Sequence, residues 1–130
     1  MDRAQFDNCI NRALLSIPGE IRKRIENVAF IVEDDPREPN TREHGIRIQQ
    51  VLLGLYEGIP YPRRGNNYSM VLPDRITLFK NTIEDVVNFE DSKVQQLIRE
   101  VVLHEIAHYF GFNEKEVRGM EEKRRLKNKR

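Results

Sequence analysis

The order of segments along this chain is compatible with one α+β domain, on three observations. Its 130 residues suit a single modest core and little more. Apolar stripes with helical spacing lie near both ends, at Phe6, Ile10, Ala13, Leu14 and Ile17 and again at Val94, Leu97, Ile98, Val101 and Val102. Between them lie short runs rich in β-branched and aromatic residues, the pattern of buried or half-buried strands.

In chain order, the first stripe predicts a helix from Asp2 to Ser16, ended by Pro18-Gly19, since neither residue continues a helix well. Glu20 to Asn27 reads as a shorter helix with Ile21 and Ile25 inward. Val28-Ala29-Phe30-Ile31-Val32 reads as a buried strand. Glu33 to Thr41 holds two prolines and no apolar side chain, which predicts a surface loop, followed by His44 as an exposed histidine. Ile46 to Tyr56 favours strand, most strongly from Val51, with Gly54 marking a bulge or an edge. Gly58 to Pro73 is a long connection whose Tyr61, Arg63, Arg64 and Tyr68 are read as solvated loop residues. Arg75 to Lys80 alternates as a half-buried strand does. Asn81 or Thr82 would cap a short helix through Val87. Ser92, with Gln95 in capping-box spacing, would open the helix that carries the second stripe through to Phe110. A last polar helix would follow Phe112, interrupted at Gly119.

Composition narrows the function classes. Hydrophobic residues make up 38% and charged residues 33% of the chain, as in a solvated globule. No apolar run approaches the roughly 20 residues of a membrane span. The segment after Met1 is polar and amphipathic rather than a signal peptide. A lone cysteine, Cys9, excludes an internal disulfide and fits a reducing cytoplasm; on the first helix it is expected to pack in the core. Net charge is +1, but Lys115 to Arg130 carries +5 and the preceding residues −4. The division expected is therefore a domain over 1–114 and a basic helical tail of the same domain over 115–130. Such a tail is expected to be solvated, and nucleic acid is not the expected partner.

The chemistry concentrates in His104-Glu105-Ile106-Ala107-His108-Tyr109-Phe110-Gly111-Phe112-Asn113-Glu114, which reads H-E-x-x-H-x-x-G-x-x-E. Helical residues advance about 100° each, so His104 and His108 stack one turn apart and can both reach one ion. Glu105 stands beside them, where it can handle a proton. All three fall in or beside the apolar arc of the helix, and buried polar groups need partners. A metal ion would supply them. A helix continued past His108 would put Glu114 about 9 Å further along the axis, from a rise of about 1.5 Å per residue. A glycine at Gly111 can take φ > 0 and turn the chain back, making Glu114 the expected third ligand. Glu116, Glu121 and Glu122 are competing carboxylates in a charged segment expected to be solvated.

The stretch resembles the signature of the small bacterial zincin-like metallopeptidases, H-E-x-x-H-x-x-G-x-x-D. The segments from Leu53 to Gly58 and from Leu72 to Phe79 look like the same family, over roughly Phe6 to Arg118. One position departs, since Glu114 stands where the family has aspartate. The resemblance implies a small mixed β-sheet packed against the motif helix, a topology that spacing alone does not fix. It also implies one Zn²⁺ per chain held by His104, His108 and Glu114, with Glu105 as general base, acting on peptide or protein substrates. Tyr61, Arg63, Tyr68 and Tyr109 are candidate helpers for the oxyanion, and Met120 is expected to serve packing. A different class of function, a catalytically silent zinc protein acting through a protein or nucleic-acid partner, has little use for Glu105.

Overall fold

The computed structural model describes residues 1–36, 47–48, 51–58 and 73–128. Two long helices are packed together, and one of them also lies on a small mixed sheet. Helix α1 (Arg3–Leu15) starts at Asp2, whose carboxylate accepts from the Gln5 amide while the Gln5 side chain accepts from the Asp2 amide. This reciprocal pair satisfies two of the free amide groups at a helix start. Phe6, Cys9, Ile10 and Ala13 are buried against α4 (Asp91–Tyr109), so the first stripe does what its spacing predicts. Burial pushes the Cys9 thiol above its ordinary range, an effect reinforced by Asp91 and opposed by Arg12.

Helix α2 (Gly19–Arg22) is one turn long, shorter than Glu20 to Asn27. Ile21 is exposed, and only Ile25 packs on the core. Asn27 takes φ 54°, a left-handed conformation that asparagine tolerates better than most residues and that turns the chain into β1 (Val28–Glu33). Two short strands, β2 (Arg47–Ile48) and β3 (Val51–Leu52), pair antiparallel. Strand β4 (Gly54–Glu57) then pairs antiparallel with β5 (Asp74–Phe79), which runs parallel to β1. The sheet order is β1-β5-β4, the mixed sheet expected. Its central strand, β5, is buried at every residue but Arg75, deeper than the half-buried alternation predicted. Neighbouring strands on both edges and α4 on one face account for that burial.

Local start signals were less reliable than the apolar pattern. Helix α3 (Lys80–Val86) begins after Phe79 with no side-chain cap; the Thr82 hydroxyl instead reaches the carbonyls of Leu52 and Phe79. Helix α4 begins after Glu90, so the Ser92 capping box does not form. Helix α5 (Glu114–Asn128) runs through Gly119 without a break. Its cap is a box at Asn113 and Glu116, each side chain accepting from the other's amide. Val94, Ile98, Val101 and Val102 are fully buried in the core, each contributing about 1.5–3 kcal/mol by removal from water. Val117 ties α5 down, at 2% exposure. His44 and the connection holding Tyr61, Arg63, Arg64 and Tyr68 lie outside the described residues. Among the described residues no helix is long and apolar enough to cross a membrane.

Candidate metal centre

Helix α4 buries its apolar arc along its whole length, and His104, Glu105 and His108 share that burial at 4%, 0% and 7% exposure. Three polar side chains in such a setting each need partners. The rings of the two histidines are held from behind. His108 Nδ1 lies 2.9 Å from the Phe112 carbonyl oxygen, and His104 Nδ1 lies 2.9 Å from Glu121 Oε1. A carbonyl oxygen and a carboxylate can only accept, so Nδ1 carries the proton in both rings. In the neutral rings both Nε2 atoms then present lone pairs. Those two atoms lie 3.3 Å apart.

Glu105 is fixed from the sheet. The Tyr56 amide on β4 donates to Glu105 Oε1 at 2.9 Å, while Oε2 lies 3.9 Å from His104 Nε2. Close approach of β4 to α4 makes this possible, and Gly54 permits it. A Cβ there would lie 2.5 Å from Val101 Cγ1, 3.3 Å from the Thr77 carbonyl oxygen and 3.6 Å from Glu105 Cγ. Gly54 thus opens the strand that meets the motif helix, which is the physical content of the edge expected at this residue. The Tyr56 hydroxyl donates to the buried Asp74 carboxylate at 2.6 Å, and its ring meets Tyr109 edge-on.

The turn expected at Gly111 is present, with φ 93°. The Gly111 amide donates to the His108 carbonyl at 2.9 Å and the Phe112 amide to the Ala107 carbonyl at 3.1 Å, the paired closure of a helix end in the Schellman manner. This turn also delivers the Phe112 carbonyl to the His108 ring. Glu114 follows as the first residue of α5; its side chain lies outside the described residues.

The other carboxylates divide differently from the expectation that all three are solvated. Glu116 is spent on the cap of α5 and Glu122 is exposed. Glu121 is only partly solvated, at 26% exposure, and reaches His104; Val117 one turn earlier packs inward on the same face of α5. Sequence reasoning missed both ring anchors. The carbonyl of Phe112 has no side-chain signal, and the approach of α5 to α4 is a tertiary contact. Among the candidate oxyanion helpers, Tyr109 is fully buried, with its hydroxyl engaged by the Glu26 amide and the Arg24 and Glu26 carbonyls. These contacts tie the end of α4 to the segment before β1. Met120 is 38% exposed and packs less than expected.

The spacing of the two imidazole nitrogens suits a shared metal ion. An ion held tetrahedrally at about 2.0–2.1 Å from two imidazole nitrogens puts those nitrogens about 3.3–3.4 Å apart, the separation found. Among the described residues no group of three His, Cys, Asp or Glu side chains comes together in this way. The fold and this histidine pair define a small α+β protein of the zincin kind. The family model described as zincin-like metallopeptidase matches residues 25–124. The chain belongs to that family; the match begins at residue 25 rather than at Phe6 and ends at residue 124, past Arg118 and within the basic tail. No curated protein matches the chain.

Proposed function

We propose that this chain is a zinc-dependent metallopeptidase in which His104, His108 and Glu114 hold one Zn²⁺ and Glu105 is the general base. The observation that carries the reading is the 3.3 Å approach of the two Nε2 atoms, each on a ring whose opposite nitrogen is anchored. Two histidines and one carboxylate form a donor set of the catalytic type, which leaves a position for water or substrate. Zinc bound there would supply Lewis acidity, lowering the pKa of a water and favouring negative charge on the scissile carbonyl oxygen.

The remaining work falls to the chain. Glu105 Oε1 accepts from the Tyr56 amide, which fixes the carboxylate beside the two histidines; this carboxylate would take the proton of the attacking water and return one to the leaving amine. Burial of Glu105 keeps bulk water from competing for that proton. The setting we infer is cytoplasmic, on the ground that the single cysteine, Cys9, is a buried free thiol, as suits a reducing compartment.

The test is cleavage of a diverse peptide library by the zinc-loaded protein, with Glu105→Gln as control. Cleavage by the wild type alone supports the reading. A wild type that binds zinc and cleaves nothing favours the catalytically silent zinc protein instead.

A further inference from the structure

We propose that Glu121 is a positioning residue of the metal centre, holding the His104 ring so that its Nε2 faces the ion. This rests on the reading of His104 and His108 as metal ligands. Glu121 Oε1 lies 2.9 Å from His104 Nδ1, and the two side chains are 26% and 4% exposed. The contact bridges α4 and α5 across 17 residues of sequence, so no local constraint produces it. Val117, on the same face of α5 one turn earlier, is 2% exposed, and its seat against the core fixes the direction in which Glu121 points.

The carboxylate sits on the ring nitrogen away from His108. It therefore orients His104 rather than completing the set of groups around the ion. A histidine ligand whose outer N–H is held by a carboxylate keeps one tautomer and one ring direction, and donates more strongly. The two Nδ1 atoms meet different acceptors, a neutral carbonyl from Phe112 at His108 and a carboxylate from Glu121 at His104. Glu121 gives His104 a charged acceptor, which makes the stronger hydrogen bond. The ligand set thus depends on α5, the element that follows the motif.

The experiment uses the full chain and its Glu121→Ala, Glu121→Gln, Glu122→Ala and His104→Ala variants. Zinc affinity is read by chelator competition, and histidine ring nitrogens by ¹⁵N NMR of the metal-free protein. Glu121→Ala is expected to weaken zinc about 10–100-fold and to shift the His104 ring signals but not those of His108. Glu121→Gln, which keeps shape and an accepting oxygen without the charge, should fall between, and Glu122→Ala should match wild type. Wild-type affinity in Glu121→Ala overturns the proposal. So does a loss as complete as that of His104→Ala, which would make Glu121 a ligand. If wild type itself binds no zinc, the metal reading fails. The metal-free spectrum then judges the contact alone, and unchanged His104 signals in Glu121→Ala overturn that too.

Discussion

His104 and His108 turn their Nε2 atoms toward each other at 3.3 Å, while their Nδ1 atoms are tied to Glu121 and to the Phe112 carbonyl. Neither ring can turn away without losing its anchor. The pair is therefore arranged before any ion arrives, and the cost of ordering two side chains falls on folding rather than on binding.

The Gly111 turn is expected to matter for metal as much as a ligand does. Gly111→Val opposes φ 93° at a cost of about 1–3 kcal/mol and displaces the Phe112 carbonyl from His108. Glu114→Ala removes the proposed third ligand. Both should weaken zinc severely in chelator competition, whereas Glu122→Ala should not. Wild-type affinity in Glu114→Ala would move the third ligand elsewhere.

Glu105→Gln should keep fold and zinc while losing hydrolysis by roughly 10²–10⁴, the usual scale of a lost general base. The amide oxygen can still accept from the Tyr56 amide, so structure is not the variable. Rates on a cleaved peptide, with zinc content measured in parallel, decide it. An unchanged rate gives the base role to another group.

Gly54→Ala should destabilise the protein by about 1–3 kcal/mol, the range for an added methyl group in a packed interior. The new Cβ would meet Val101 Cγ1 at 2.5 Å, forcing β4 away from α4 and the Tyr56 amide away from Glu105. Denaturant unfolding reads the stability, and the companion variant Val101→Ala in the same chain should recover part of it by making room. Recovery absent from the double variant would place the strain elsewhere.

Periodicity made α1 and α4 legible, and Asp2 and Gly111 marked the start of the first and the end of the second, because those signals are local. The inward placement of His104, Glu105 and His108 followed from the arc of α4. Capping residues misled at Ser92 and at Thr82, where the helices start without side-chain caps and the Thr82 hydroxyl bonds across to Leu52. Gly119 did not break α5, since an exposed glycine with open space around it costs only about 1 kcal/mol relative to alanine. What the sequence could not reveal was long-range: the Tyr56 amide on Glu105, and Glu121 on His104. Each joins elements whose meeting depends on how the sheet and α5 pack on α4.

Elemental analysis of freshly purified, chelator-free protein tests the central claim most directly. About one zinc per chain is expected, with His104→Ala and His108→Ala each stripped of it. Folded wild-type protein that carries no metal and takes up none from added zinc would contradict it.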